Sequence, residues 1–326
     1  MRASARQHNR RAEEPERRMV WGQTMGNHER IEHGTPDATG VDNESLGARR
    51  VTRRAFLRTT ALGLAAGGPA ADRVLHGVAA QAIGLQLYTL RDIADGNLEF
   101  ALRIAGETGY REVEFAGMFD NDLSKVVKWL DKYRLTAPAT HIGLQRLKAN
   151  LKGVADEAQR LGVRYVVCPS VDAGLRRDAD GWRRVAADFN RIGDSLQRVG
   201  LRFAYHNHDF EFQPLPTGEV GYDILLAECD PKLVKMELDL FWITKGGRDP
   251  LTYFAKWPGR FPLVHVKDMA GNGVMTNVGQ GHIDWPRIFA KRREAGIEHF
   301  FVEHDNPTSP VDDIAVSYRY MARLDL

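Results

Sequence analysis

From residue 83 onward the chain repeats one pattern eight times: a short apolar run followed by a longer amphipathic stretch. That alternation is what parallel strands joined by helices look like in sequence. The runs are Ile83 to Tyr88, Glu112 to Phe115, Thr136 to Ile142, Tyr165 to Pro169, Leu201 to His206, Val234 to Leu240, Pro262 to Val266 and Phe300 to Glu303. Between them, Leu123 to Tyr133, Leu147 to Leu161, Trp182 to Val199 and Trp285 to Ala295 carry helical spacing. Gly109, Gly162, Gly200 and Gly296 each stand just before a strand, where a helix C-cap lets the chain turn. Eight βα units in about 245 residues predict an α/β chain folded as a (β/α)8 barrel with right-handed crossovers. A doubly wound open sheet is the alternative. It would carry a Gly-rich phosphate turn after its first strand, and Leu87-Tyr88-Thr89-Leu90-Arg91-Asp92 has none.

The 326 residues carry a formal charge of +2, with 43% hydrophobic and 27% charged residues, which fits neither a disordered chain nor a polyanion-binding basic protein. The balance conceals two unlike segments. Residues 1–80 hold 13 arginines, no lysine and 9 acidic residues, a net of +4, leaving −2 for residues 81–326. The first fifty residues have no apolar period and are expected to be disordered. Arg53 and Arg54, then Phe56-Leu57-Arg58 and the weakly apolar Thr59 to Gly68, resemble a twin-arginine export signal. A basic tail with a chance Arg-Arg pair is the compositional alternative. The apolar run is shorter than the ~20 residues of a membrane-spanning helix. Val78-Ala79-Ala80 suggests cleavage before Gln81, with Pro69-Ala70-Ala71 as a rival, and Met19 or Met25 as alternative starts. The expected partner is the twin-arginine translocation machinery, the expected location periplasmic or secreted, without a stable membrane anchor. The two cysteines, Cys168 and Cys229, form no disulfide framework and read as buried, reduced thiols.

Chemistry in a barrel is assembled where the strands end. There the sequence places Glu112-Val113-Glu114-Phe115, Thr140-His141, Tyr205-His206-Asn207-His208-Asp209, Glu237-Leu238-Asp239, His265-Val266-Lys267-Asp268 and Glu303-His304-Asp305. Ionisable groups at that density stay buried only if a cation organises them, so a divalent metal ion is implied. Imidazole and carboxylate ligands without thiolate fit Mn, Mg, Co or Zn, with Ni and Fe also open. Glu237 and Asp239, two residues apart, share a strand face. With Asp239 at the rim, Glu237 lies one layer deeper, where it would support the ligands.

These motifs, together with Gly84-Leu85-Gln86-Leu87-Tyr88-Thr89-Leu90-Arg91-Asp92 and Gly279-Gln280-Gly281-His282-Ile283-Asp284-Trp285, resemble the sugar phosphate isomerase/epimerase superfamily, the xylose isomerase-like TIM barrels. The resemblance covers residues 83 to 303. It implies one metal held from strands five to eight, with ligands falling on Asp239, His265 and Glu303. Where sugar epimerases contribute a Glu from strand five, this sequence has His206, with Tyr205 in a shifted alignment. Only Glu303 then remains of the two glutamates that work on opposite faces of a sugar.

The leading expectation is a metal-dependent sugar isomerase or epimerase that abstracts a proton next to a carbonyl, with Glu303, Glu237 and His206 as acid/base candidates. The alternative is a lyase or dehydratase acting on 3-keto-glycosides or inososes. A non-catalytic periplasmic carbohydrate-binding protein is the third reading. Glu114, His141, His208, Trp242 and Lys267 are assigned to the carbohydrate. His141 could instead cap its strand, and Trp242 could pack beneath the next loop. At most one of His206 and His208 is expected to face the metal, and His206 is the choice. His299 and His304 read as ordinary hydrogen-bonded residues. The glycine-containing loop from Met269 to His282 reads as mobile or closely approached by a ligand. A net-acidic barrel argues against nucleic acid, and a homo-oligomer is compatible with the sequence.

Overall fold

The computed structural model describes residues 82–117 and 121–324. The leader expected over residues 1–80, with Arg53 and Arg54, lies outside the described residues. Seven barrel strands come first: β1 Gly84–Gln86, β2 Glu112–Phe115, β3 Thr136–His141, β4 Tyr165–Cys168, β5 Arg202–His206, β6 Val234–Asp239 and β7 Leu263–Val266. A short antiparallel pair follows, β8 Asp268–Met269 and β9 Met275–Thr276, before the last barrel strand, β10 His299–Val302. The order β1-β10-β7-β6-β5-β4-β3-β2 is closed. β10 returns to β1 by pairing Phe301 with Gly84 and Val302 with Leu85, all in parallel. Closure settles the choice between barrel and open sheet in favour of the (β/α)8 TIM barrel.

The barrel interior is filled by Ala139, Tyr165, Val167, Ala204, Leu263 and Phe301, all fully buried. Phe301 needs the space that Gly84 leaves: a Cβ there would meet the Phe301 ring at 2.5 Å and the Phe300 carbonyl at 2.7 Å. Around this core the helices bury one stripe each. Helix Ala179–Gln197 buries Trp182, Val185, Phe189, Ile192 and Leu196, and begins where the Asp178 carboxylate accepts the Gly181 N–H. Gly109, Gly162, Gly200 and Gly296 do end helices, with φ of 124°, 76°, 81° and 83° that a side chain would resist. The helix expected from Leu147 to Leu161 is instead two, Leu144–Ala149 and Leu151–Leu161. Asn150 between them turns its side chain to the Gly153 N–H and caps the second. The Trp285 to Ala295 stretch likewise divides into Trp285–Phe289 and Arg292–Ala295.

The N-terminal end of the barrel is closed by polar pairs. Tyr165 donates to Glu298 at 3.0 Å, and His299 Nδ1 lies 2.8 Å from Glu112, as its ordinary reading requires. Cys168 and Cys229 are free and buried. Among the described residues, no helix is long and apolar enough to cross a membrane.

Candidate active site

At the opposite end, strand register gathers the ionisable residues. His206 pairs with Glu237 across β5 and β6, and Asp239 with His265 across β6 and β7. Two layers result. In the lower one, Glu237 Oε2 is approached by His141 Nε2 at 2.8 Å, His265 Nε2 at 3.1 Å and His206 Nδ1 at 3.2 Å. Beside it, Glu114 Oε2 accepts from Gln86 at 2.7 Å and lies 2.7 Å from His265 Nε2 and 3.3 Å from His141 Nε2. In the upper layer, His265 Nδ1 is 2.7 Å from Glu303 Oε2 and 3.9 Å from Asp239 Oδ2, and His206 Nε2 is also 3.9 Å from Asp239 Oδ2.

His206 and His265 thus each turn one nitrogen down to a carboxylate and the other up to Asp239. An outer carboxylate on one ring nitrogen fixes the tautomer and presents the other nitrogen to a cation. Asp239 is fixed as well. One of its oxygens accepts the Trp242 N–H at 2.8 Å and caps helix Leu240–Lys245, leaving Oδ2 for the centre. Asn207 accepts the Asp239 N–H at 3.0 Å.

Asp239, His265 and Glu303 offer ligand atoms within 4.8 Å of one another, all buried, and this oxygen–nitrogen–oxygen set fits a divalent cation. His141, His206, Glu237 and His265 satisfy the same distance. There, however, a single carboxylate oxygen already takes three imidazoles, the position of an outer partner. Glu237 is therefore one layer below the rim, as its spacing predicts, and Glu303 is the carboxylate of the upper layer.

Burial and charge set the protonation states. Burial, assisted by repulsion from His265, pushes His206 down to about 3, so it is neutral and able to ligate. For His141 burial acts in the same direction, but the Glu114 and Glu237 carboxylates outweigh it and hold the group at about 9. Asp239 is raised to about 6 by burial, against the pull of Lys267 and His265. Burial also opposes ionisation of Glu303, yet Lys267 and His265 bring it below the usual carboxylate range and keep it an anion, a weak base for as long as those two positive groups face it.

Lys267 is the surprise of the upper layer. Only 2% exposed, its Nζ lies 2.7 Å from Asp305, 2.8 Å from Glu303 Oε2 and 3.0 Å from Asp239 Oδ2. The residues assigned to substrate divide. Glu114 is sealed beneath His265, and His141 is engaged by Glu237. Trp242, 8% exposed, packs on Phe241 and His208. β5 stops at His206, so strand alternation does not reach His208. Its ring lies 5.2 Å from that of His206 and stacks on Phe210 at 5.5 Å, and of the two imidazoles His206 is the one within ligand distance of the other centre residues. His304 donates its backbone N–H to Thr89.

The loop after β7 is held rather than loose. Asp268, buried, accepts N–H groups from Gly279 at 2.8 Å, Gly281 at 3.1 Å, Ile283 at 3.2 Å and the Trp285 indole at 3.1 Å. A Cβ on Gly281 would run into the Asp268 carboxylate, so the close approach that calls for glycine is made by the protein itself. Gln86, Asp268 and Asp305 were not singled out by sequence, although each stands in a strand-end motif. Glu211, buried and accepting from Tyr205 at 2.6 Å and the His208 N–H at 2.9 Å, stands two residues beyond the Tyr205 to Asp209 motif.

A closed eight-stranded barrel whose strand ends hold buried imidazoles and carboxylates defines a class, the (β/α)8 proteins with a cation-suited centre at the C-terminal face. Within it, this chain belongs to the xylose isomerase-like TIM barrel family, whose profile matches residues 102–324. It is 30% identical over 141 residues to an inosose dehydratase of Lacticaseibacillus casei, a match covering 38% of this chain and 46% of that protein. The chain thus spans about half the length of the curated relatives it matches first. A sugar phosphate isomerase/epimerase from Parabacteroides distasonis superposes with a TM-score of 0.67 at 25% identity, covering 78% of this chain and 97% of that one. An IolI protein with a bound zinc atom superposes with a TM-score of 0.61 at 17% identity, covering 74% and 97%, a likeness of fold.

Proposed function

We propose that this protein is a divalent-cation-dependent sugar isomerase or epimerase that abstracts a proton next to a carbonyl. One observation carries the reading: Glu303, held as an anion by His265 and Lys267, sits beside Asp239 and His265 in an oxygen–nitrogen–oxygen set. Asp239, His265, Glu303 and His206 would hold the cation, which supplies polarisation of the carbonyl and stabilisation of the charge that develops on it. Glu303 takes the proton from the adjacent carbon through its carboxylate. Lys267 faces the same oxygens and donates hydrogen bonds to them or to the substrate. Glu237 and Glu114 keep the two imidazoles oriented from below. The isomerase/epimerase neighbour from Parabacteroides distasonis supports this reading.

A second reading, dehydration of a keto-sugar or inosose, is favoured by His206. With an imidazole rather than a carboxylate from strand five, a second base on the opposite face of the sugar is missing, and the inosose dehydratases among the relatives point the same way. Incubating cation-loaded protein with ketoses, inososes and 3-keto-glycosides in deuterated water tests both. Deuterium at the carbon next to the carbonyl of a recovered sugar supports isomerisation or epimerisation, and a product lighter by one water supports the dehydratase. Glu303→Gln is expected to abolish either. No exchange and no product from any of these sugars overturns both readings.

We further propose export by the twin-arginine route, on the Arg53-Arg54 motif.

A further inference from the structure

The two oxygens that approach His265 Nδ1, Glu303 Oε2 at 2.7 Å and Asp239 Oδ2 at 3.9 Å, are the same two that Lys267 Nζ holds at 2.8 and 3.0 Å. An ammonium and a divalent cation that share one pair of carboxylate oxygens repel each other, so Lys267 in this position weakens the hold of Asp239 and Glu303 on a cation. The third partner of Lys267 is different in kind. Asp305 meets it at 2.7 Å, has no contact with His265 or His206 of this sort, and its side chain is 18% exposed where those of Asp239 and Glu303 are 0% and 5%. Asp305 is in turn anchored by its backbone N–H to the Met275 sulfur at 3.1 Å, on the loop that Asp268 holds down.

We propose that Lys267 is a built-in competitor of the cation for Asp239 and Glu303, and that Asp305 is the seat to which its ammonium withdraws when the cation enters. The proposal rests on the reading of Asp239, His265 and Glu303 as ligands. It assigns Lys267 a task that substrate binding does not require: it lowers cation affinity so that the ion is held exchangeably, and Asp305 limits that loss. Lys267 and Asp305 are positioning residues in this scheme, acting through the ligand carboxylates.

The test is calorimetric titration of Mn2+ into the purified full-length chain, with the cation-dependent rise in melting temperature as a second readout. Lys267→Met is expected to tighten binding by at least tenfold. Asp305→Asn is expected to weaken it by about tenfold, because the ammonium loses its alternative partner. The double variant Lys267→Met with Asp305→Asn distinguishes withdrawal from mere loss of negative charge. With the ammonium gone, Asp305→Asn should change affinity less than threefold. An equal weakening by Asp305→Asn in both backgrounds overturns the role of Asp305, and unchanged or weaker binding by Lys267→Met overturns the competition itself. If the unsubstituted protein takes up no Mn2+, the ligand reading fails with it. If it binds Mn2+ and Lys267→Met does not tighten binding, only the present proposal falls.

Discussion

His265 Nε2 and Glu114 Oε2 lie 2.7 Å apart, joining strands 151 positions apart in sequence. The pair holds Nε2 of His265 on the lower carboxylates, and so leaves Nδ1 facing Asp239 and Glu303. Glu114→Ala removes that hold while leaving every proposed ligand in place. Loss of such an outer partner typically weakens metal affinity by about 10- to 100-fold. We expect that range in a Mn2+ titration, with the far-ultraviolet circular dichroism unchanged. Glu114→Gln, which keeps an acceptor, should fall in between, and wild-type affinity in the alanine variant would show that His265 is oriented without Glu114.

The Asp268 clamp yields a separate expectation. One buried carboxylate accepts from three loop amides and an indole, and Asp268→Ala leaves those donors without it. Unsatisfied buried donors cost about 1–3 kcal/mol each, partly relieved as the loop loosens and water enters. A loss of roughly 2–4 kcal/mol in unfolding free energy follows. Hydrogen exchange should accelerate across residues 270–283 and stay slow in β4 and β5. Uniform acceleration through the barrel would mean that the clamp stabilises the whole domain and not the loop.

The barrel was legible because its signal is periodic and local. Each expected run overlaps a strand, since a buried parallel strand is a short apolar run and its neighbours are helices ending in glycine. Asn150 escaped because its side chain competes for a backbone N–H only three residues away, an event that apolar spacing does not register. The candidate centre was legible as a set of strand-end motifs, but its wiring was not. Lys267 and Asp305 are 38 positions apart and Gln86 and Glu114 are 28 apart, and nothing in either pair's local sequence announces the other.

Export can be checked independently of chemistry. The full-length chain should appear in the periplasmic fraction, shortened to begin near Gln81, and Arg53→Lys with Arg54→Lys should leave it unprocessed inside the cell. Identical fractionation of both proteins would reduce the arginine pair to part of a basic tail. Retention of the double-lysine protein would also fit a route that carries folded, cation-loaded protein.

Glu211 makes the stability of the barrel depend on pH. Burial raises its carboxyl from the ordinary 4.5 to about 8, against the hydrogen bonds from Tyr205 and the His208 N–H. The folded chain therefore binds this proton more tightly than the unfolded chain does. The resulting stabilisation is fully present below pH 4.5, declines as pH rises, and is gone once pH passes about 8. Each tenfold step in proton affinity is worth about 1.4 kcal/mol, so the total is on the order of several kcal/mol. Glu211→Gln keeps the neutral shape and cannot ionise. Denaturant unfolding of the variant should accordingly vary less between pH 5 and pH 9 than that of the unsubstituted protein, with the variant the more stable of the two at the alkaline end. Parallel pH profiles for the two proteins would place the proton on another group.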